Sequence, residues 1–190
     1  MRMLTLWQIE LLPWYAVMIV WVVTALRRKQ DKLTESPAAR LLHLIYVGIG
    51  LTLLFSQTLP LGPLRERMYP VKPSLQWIGI AVTCSGAALA IWARLNLGDN
   101  WSSRVNLKQG HQLISSGPYA YVRHPIYSGF LLAVVGTAVE IGEWRGLLAT
   151  VLIGVMHSLK AQREERFMLN EFGDRYAQYQ KQTGFLVPKL

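Results

Sequence analysis

Two long runs without a formally charged side chain constrain this sequence more than any other feature. One lies between Arg40 and Arg65 and holds 24 residues, and the other lies between Lys72 and Arg94 and holds 21. An α-helix of about 20 apolar residues crosses the roughly 30 Å hydrocarbon core of a bilayer. The sequence therefore predicts two membrane-spanning helices, and the fold class that follows is an all-α integral membrane protein.

A third apolar segment runs from residue 4 to residue 26. It contains Glu10 and Pro13, but residues 14–26 carry no charge, and the tryptophans of the segment suit a membrane interface. A basic run at residues 27–29 follows it, and no small-residue cleavage site precedes that run. We therefore interpret the segment as a retained span and not as a cleaved signal peptide.

The region from residue 125 to residue 159 is divided by charged side chains into two apolar pieces of about 15 residues. Each piece is shorter than the ~20 residues that a single span usually needs. We predict a tight helical hairpin with its turn at Gly142-Glu143, and we leave open whether its tip crosses the bilayer. The expected total is about five transmembrane helices in a single domain, with residues 1–94 forming the amino-terminal helices and residues 95–190 holding the motifs described below.

The placement of basic residues predicts the orientation of the chain. With the amino terminus outside and five crossings, 15 of the 20 lysines and arginines fall in the inner segments, as the positive-inside rule expects. We predict a cytosolic carboxyl terminus. If the source is prokaryotic, we expect the protein to lie in the inner or plasma membrane. Basic loops beside anionic lipid explain the net charge of +9 without a nucleic-acid partner.

Cys84 is the only cysteine, which excludes an intrachain disulfide, and we interpret it as a packed small residue.

Residues 95–129 form a long polar connection with no obvious helix, and connections of this length are usually functional. Gly117-Pro118 and His124-Pro125 punctuate it, so the backbone there is turned or extended and its peptide groups are available to a ligand. Three tyrosines add aromatic surface beside these dipeptides: Tyr119, Tyr121 and Tyr127.

The carboxyl-terminal stretch holds a second candidate group of residues. His157, Lys160 and Glu164 are spaced to share one helix face near the membrane surface. Further along, the spacing of four apolar or aromatic residues predicts a single stripe on a helix that lies on the membrane or caps the polar connection: Leu169, Phe172, Tyr176 and Tyr179. Taken alone, His124 is equally a structural hydrogen-bonding group, and Glu164 is more often a solvated side chain.

Together these motifs resemble the isoprenylcysteine carboxyl methyltransferase family, whose wider superfamily includes phospholipid methyltransferases. The residues that carry the resemblance are GPY at 117–119, RHPIYSG at 123–129, Glu164-Glu165, Phe172-Gly173 and the tyrosine pair at 176 and 179. The resemblance covers residues 97–188, whereas the amino-terminal half matches only in hydropathy. It implies a multi-span helical enzyme whose carboxyl-terminal half encloses S-adenosylmethionine, with a lipophilic substrate that enters from the bilayer.

The resemblance also implies roles for individual residues. Lys160 and Glu164 would be catalytic, and Lys160 stands where the family has an arginine for the substrate carboxylate, so the positive charge is kept but the bidentate fork is lost. His157 and Lys160 would bind substrate, and no metal site is expected. The implied cofactor contacts are Asn106, His111, Gln112, Leu113, Ile114, Tyr119, His124, Pro125, Ile126, Tyr127 and Glu164.

The expected function is methyl transfer to the carboxylate of a prenylcysteine-like lipid. The alternative acceptors are a phospholipid or another small lipophilic amine or thiol, and an amine would need a base such as His157 or Glu165 to take its proton. Two further alternatives are a sterol-reductase-like enzyme that uses NADPH, for which 190 residues leave little room, and a non-enzymatic membrane scaffold. The expected partners are a lipophilic or lipidated substrate and membrane lipid, with no nucleic acid and no obligate protein partner.

Overall fold

The computed structural model describes residues 6–25, 31–34, 36–98, 106–108 and 113–189. Short 3-10 helices lie at Gly62–Arg65 and Gly117–Ala120. The remaining elements, in chain order, are the helix α1 (Leu6–Ala25), the strand β1 (Asp31–Thr34), the helices α2 (Pro37–Phe55) and α3 (Pro73–Leu97), the strand β2 (Asn106–Lys108), and the helices α4 (Pro125–Ile141), α5 (Trp144–Phe172) and α6 (Asp174–Gln182).

The helices α1, α2 and α3 are long and apolar enough to cross a membrane. This confirms the two spans predicted from the uncharged runs and the third predicted at the amino-terminal end. The helix α4 is also apolar but has 17 residues, which corresponds to a length of about 25 Å. The helix α5 has 29 residues and continues from the apolar bundle into the charged carboxyl-terminal segment.

Glu10 does not interrupt α1, because its carboxyl group joins three helices inside the bundle. The residue is fully buried, and its Oε1 atom accepts hydrogen bonds from the hydroxyl groups of Thr83 at 2.9 Å and Thr137 at 2.5 Å. The indole of Trp14 donates to the Thr137 hydroxyl at 3.1 Å. A buried carboxyl group is costly without such partners, so this cluster fixes α1 against α3 and α4.

Small residues allow α3 and α4 to approach until their backbones touch. A Cβ atom added at Gly86 would collide with the backbone nitrogen of Ala133, and one added at Gly129 would collide with that of Ala90. The same holds further along the seam, where Gly79 faces the backbone of Gly136. Lipid tails are as apolar as leucine side chains, so there is no hydrophobic driving force between membrane helices. They associate instead by close van der Waals packing, which small residues at the interface allow. The contact sets the start of α4 beside the end of α3.

The predicted hairpin is confirmed, with its turn at Gly142-Glu143. Gly142 ends α4 in the left-handed conformation, with φ of +66°, which costs glycine little. The turn is hydrogen-bonded to the connection between α2 and α3, because Met68 N donates to Gly142 O at 2.9 Å and Trp144 N donates to Glu66 O at 3.2 Å. The tip of the hairpin therefore lies level with the end of α2 and the start of α3.

One local prediction is wrong, and the structure adds one feature that the sequence did not indicate. The added feature is an antiparallel pair formed by the strands β1 and β2, with Thr34 opposite Asn106. Segments of three and four residues are too short to show an alternating pattern. Cys84 is exposed on α3 and is not a packed core residue, because an apolar run in a membrane helix does not distinguish a lipid-facing position from a buried one.

The predicted single stripe at the carboxyl-terminal end is also wrong. Gly173, with φ of +53°, ends α5 and begins α6 in a new direction. Leu169 is consequently 36% exposed whereas Tyr176 is 2% exposed, so the two side chains do not share one face. The expectation that this segment caps the polar connection is confirmed, since the Tyr179 hydroxyl donates to Tyr119 O at 2.7 Å.

The seam between α3 and α4 generates a stability prediction. Replacing Gly86 with alanine forces its methyl group against the backbone of Ala133, and we expect the free energy of unfolding to fall by about 1–3 kcal/mol. Gly48→Ala is the matched control, because a Cβ atom there meets nothing within 4 Å, and a helical alanine in its place should stabilise by roughly 0.5–1 kcal/mol. Unfolding by sodium dodecyl sulfate in mixed micelles, followed by circular dichroism, measures both. Equal effects of the two substitutions would contradict the tight seam.

Candidate active site

The candidate site lies where the polar connection enters α4, beside the charged part of α5. Pro118 and Pro125 each occupy the first turn of the helix they begin, a position that lacks a hydrogen-bond acceptor for a backbone N–H. His124 is the residue that precedes α4, and it faces Glu164 and Glu165 on α5. The packing of α4 on α3 and of α5 on α4 thus brings residues about 40 positions apart into one cluster.

His124 lies between two carboxylates. Its Nδ1 atom is 3.5 Å from Glu164 Oε2, and its Nε2 atom is 3.2 Å from Glu165 Oε1. Tyr127 donates its hydroxyl to Glu164 Oε1 at 2.6 Å, and its ring stacks on the imidazole with centroids 5.8 Å apart. The Glu164 side chain keeps 25% of its surface exposed, against 7% for His124. Of these side chains, Glu164 is therefore the one that presents negative charge to a ligand.

Glu165 has a different role, because its carboxylate holds the carboxyl-terminal tail. Arg123 Nε donates to Glu165 Oε1 at 2.6 Å, and Gln180 Nε2 donates to Glu165 Oε2 at 2.8 Å. Arg123 also donates through Nη1 to the carbonyl oxygens of Gln180 and Thr183. The backbone completes the connection, since Arg123 N donates to Gly184 O at 2.9 Å. We call this arrangement, formed by Arg123, Glu165, Gln180, Thr183 and Gly184, the tail clasp.

The opposite charges in this cluster shift the pKa values of His124 and Glu165 toward their charged forms. Burial lowers the pKa of His124, but hydrogen bonds and charge interactions with Glu164 and Glu165 outweigh burial and raise it above its usual 6.5. Burial raises the pKa of Glu165, but His124 and Arg123 outweigh that effect and hold the pKa below its usual value of 4.5. Both shifts favour the charged forms of the two side chains, an imidazolium at His124 and a carboxylate at Glu165.

Buried tyrosines form the wall behind the charged cluster. Burial raises the pKa of Tyr119, and it raises the pKa of Tyr179 to about 12. Both hydroxyls thus keep their protons at neutral pH, and the Tyr119 hydroxyl donates to Ala93 O at 3.4 Å. This bond ties the 3-10 helix at residues 117–120 to α3, and the bond from the Tyr179 hydroxyl to Tyr119 O ties it to α6.

A second group of side chains extends from the cluster into the bundle. Lys160 and His157 are 7% and 5% exposed on α5, one and two turns before Glu164. The His157 ring meets Tyr127 edge-to-face with centroids 4.9 Å apart, and it stacks on Phe130 at 5.5 Å. The His43 ring of α2 lies 5.5 Å from the His157 ring. His157, which with Lys160 forms the predicted substrate wall, thus contacts Tyr127, one of the predicted cofactor contacts.

The structure brings only some of the predicted cofactor contacts together around His124. It brings together His124, Tyr127 and Glu164, with Pro125 and Ile126 in the adjoining first turn of α4 and Tyr119 behind them. Leu113 and Ile114 are half-buried in the segment before the 3-10 helix, and the backbone of Asn106 lies in β2, next to α5. His111 and Gln112 lie outside the described residues.

Sequence reasoning missed three contributors to the site. Arg123 belongs to the RHPIYSG motif, but nothing in the sequence shows that it is the centre of the tail clasp. Phe185 packs its ring edge-to-face on His124 at 5.2 Å, and His43 reaches the site from the half of the chain that matched only in hydropathy. No spacing in the sequence points to either ring.

The cluster generates a prediction about titration. Because the folded-state pKa of His124 is raised, its contribution to stability is fully present below about pH 6.5 and is lost as the pH rises through the folded-state value. We expect the His124 ring to titrate with a midpoint above 6.5 in nitrogen-15 NMR of the protein labelled at histidine, and Glu164→Gln to lower that midpoint. A midpoint at or below 6.5 in the unsubstituted protein would show that the two carboxylates do not hold an imidazolium.

Comparison with known proteins gives a consistent result. Residues 77–170 match the sequence profile of the isoprenylcysteine carboxyl methyltransferase (ICMT) family. The protein-S-isoprenylcysteine O-methyltransferase of Schizosaccharomyces pombe is 33% identical over 118 residues, which make up 60% of this chain and 50% of that protein. The Tribolium castaneum protein of the same name is 30% identical over 126 residues, 63% of this chain and 45% of that protein. The chain thus spans about half the length of these relatives.

A solved structure shares the fold. The eukaryotic intramembrane Ras methyltransferase ICMT aligns with 95% of this chain and 67% of its own chain, with a TM-score of 0.57 and 23% sequence identity. The shared fold and the apolar helices make this chain an integral membrane protein. Residues 77–170, the segment that carries most of the candidate site, thus match the isoprenylcysteine carboxyl methyltransferase family in sequence, and 95% of the chain aligns with the fold of one of its members.

Proposed function

We propose that the protein transfers a methyl group from S-adenosylmethionine to the carboxylate of a lipophilic, prenylcysteine-like acceptor. The observation that carries the proposal is the pairing of the partly exposed Glu164 with Tyr127 and His124 at the start of α4. The relatives named protein-S-isoprenylcysteine O-methyltransferase support the same reaction class. The carboxyl-terminal half, residues 95–190, would form the cofactor-binding and catalytic part of a single domain.

The chemistry of the side chains fits S-adenosylmethionine. Its α-amino group needs an acid, and Glu164 is the exposed carboxylate of the cluster. Its carboxylate needs hydrogen-bond donors, which the backbone N–H groups of residues 111–114 would supply, since both ring nitrogens of His124 face Glu164 and Glu165. Its sulfonium is stabilised by an aromatic face, and Tyr127 lies beside Glu164. The backbone of residues 111–114 and the side chains of Leu113 and Ile114 are proposed to hold the adenine.

The chain's contribution to the reaction is proximity and orientation. The sulfonium of the cofactor supplies a methyl carbon that is already activated for displacement. Tyr127 joins the two halves of the site, because its hydroxyl bonds to Glu164 and its ring contacts His157 on the acceptor side. Holding two reactants in line in this way contributes up to about 7–11 kcal/mol in favourable cases. The apolar rings beside His157 exclude water from the same region.

Lys160 and His157 are proposed to receive the acceptor. A carboxylate needs no base, and the buried Lys160 would orient it and stabilise its negative charge on the way to the reacting position. For an amine acceptor a base is required, and Glu165 is poorly placed for that role because Arg123, His124 and Gln180 already occupy its oxygens. His157 would be the base in that case. The tail clasp therefore favours an acceptor that does not lose a proton.

The predicted orientation places this site at the cytosolic membrane face. The site and the basic carboxyl-terminal segment lie at the end of the bundle opposite the hairpin turn. A lipidated substrate made in the cytosol would reach it from that side, with its lipid chain in the bilayer. We propose the outside amino terminus and the cytosolic carboxyl terminus on this basis.

Glu164→Gln tests the cofactor site. The change keeps the shape of the side chain but removes the charge that would pair with the α-amino group, and we expect the affinity for S-adenosylhomocysteine to fall by about 10–100-fold. Glu171→Gln is the matched control, since that residue is exposed on the same helix and should bind as the unsubstituted protein does. Isothermal titration calorimetry of the purified protein measures both. Unchanged affinity in Glu164→Gln, or binding of NADPH in place of S-adenosylhomocysteine, would refute the proposal.

Lys160→Met tests the acceptor side. Loss of the ammonium group should lower kcat/KM for lipophilic carboxylates by at least about tenfold while leaving S-adenosylhomocysteine affinity within about twofold, and Lys160→Arg should restore most of the rate. The assay uses methyl-labelled cofactor with a panel of lipophilic carboxylates, amines and thiols. Base-labile label identifies an ester. Base-stable product from amines or thiols, with no product from carboxylates, would show that the acceptor class is wrong.

A further inference from the structure

A polar cavity lies at the end of the bundle opposite the candidate active site. Its volume is about 300 Å³, at the lower end of the ~300–1,000 Å³ typical of small-molecule sites. The start of α1, the connection from α2 to α3, and the turn between α4 and α5 meet there. Its lining combines cations, acids, amides and an indole: Arg65, Arg67, Arg145, Glu140, Glu143, Gln57, Gln76 and Trp7, with Val71 and Ile141.

The position of the arginines is built into the fold. Arg67 forms an isolated antiparallel bridge with Glu143, and the flanking bonds between residues 66–68 and 142–144 hold this connection against the hairpin turn. Arg65 donates from Nη2 to Ser56 O at 3.2 Å. The backbone of Arg67 and the guanidinium of Arg65 are thus held beside one cavity that both side chains line, and a phosphate group there could accept from both guanidinium groups.

Arg65 and Arg67 have donors to spare, whereas Arg145 uses its Nε and Nη1 atoms within the protein. Arg145 donates from Nε to Glu143 Oε2 and from Nη1 to the carbonyl oxygens of Leu53 and Ser56, so it caps the end of α2. The Nε atom of Arg65 is buried and meets no acceptor among the described residues. The guanidinium of Arg67 has no ion-pair partner within the described ranges. A bound anion would satisfy donors that the protein leaves unpaired.

Acidic groups lie on the deeper side of the cavity. Glu140 is 6% exposed and lines the cavity together with Gln76. Behind it, Glu10 is fully buried one turn beyond Trp7, and its Oε2 atom has no hydrogen-bond partner among the described residues. A ligand that carried only negative charge would meet these carboxyl groups at an energetic cost. A primary ammonium group next to the phosphate would meet Glu140 favourably.

We propose that this cavity binds a zwitterionic phosphoethanolamine group, with its phosphate on Arg65 and Arg67 and its ammonium directed to Glu140. A membrane phospholipid is the source that the surroundings favour. The helices α1 and α2, which begin and end at the cavity, expose apolar side chains along their lengths, such as Leu12 at 52% and Ile49 at 45%, and these suit acyl chains. Basic pockets between membrane helices bind lipid head groups by the same physics.

Native mass spectrometry of the full chain in detergent micelles tests the proposal. The protein is titrated with phosphatidylethanolamine, with phosphatidylglycerol and with water-soluble phosphoethanolamine. We expect phosphatidylethanolamine to bind more tightly than phosphatidylglycerol, and Arg67→Gln to weaken it about tenfold. Lys72→Gln is the matched control, because that cation is exposed at the same end of the bundle but does not line the cavity, and it should have no effect.

The acidic side is tested separately with Glu140→Gln, which should remove the preference for phosphatidylethanolamine over phosphatidylglycerol. Competition by soluble phosphoethanolamine would support the zwitterion site and show that the acyl chains add little. Equal binding of the two lipids by the unsubstituted protein, or equal losses in Arg67→Gln and Lys72→Gln, would overturn the proposal. S-adenosylhomocysteine affinity should be unchanged in all three variants, so the result is independent of the proposed methyl transfer.

Discussion

The backbone contact between α3 and α4 determines where the start of α4, and with it the candidate site, lies in the bundle. Glycines at 79, 86, 129 and 136 remove the side chains that would hold the two helices apart, and the resulting alignment sets His124 level with the end of α3. The 3-10 helix at residues 117–120 can then place Tyr119 against Ala93. A helix pair spaced by larger side chains would separate the polar connection from its support, and the charged cluster would lose the wall behind it.

Polar side chains inside the bundle bond to one another or to backbone carbonyl oxygens, because no water is available there to satisfy them. Glu10 hydrogen-bonds to Thr83 and Thr137, and Arg145 bonds to the last carbonyl oxygens of α2. Arg94 does the same for α1, because its Nη2 atom donates to Thr24 O at 3.0 Å. Each of these side chains looks like an interruption when the sequence is read for hydropathy. In the fold each one joins the end or the middle of one helix to another.

The spans were predictable because charge is distributed along the chain in one dimension, and the hairpin turn was predictable because Gly142 is followed by a charged residue. The acid pair was also visible, but its division of labour was not. Glu164 and Glu165 point about 100° apart on a helix. The packing of His124 between them directs Glu164 to the candidate site and Glu165 to the tail clasp. His43 gives no sequence signal, because its partner ring is 114 positions away. Gly173 could have been read as a helix end, but the 3.6-residue spacing of the aromatic residues continues across it.

The tail clasp has a consequence for the order in which the protein matures. Gln180 to Phe185 follow the helices α1 to α5 in the direction of synthesis, yet they supply the carbonyl oxygens and the ring that hold Arg123 and His124 in place. The helices can therefore be inserted and packed while the pocket still lacks one side. The proposed cofactor pocket would therefore stay open in a nascent chain until this segment has left the ribosome, and ligand capture would follow the packing of the helices.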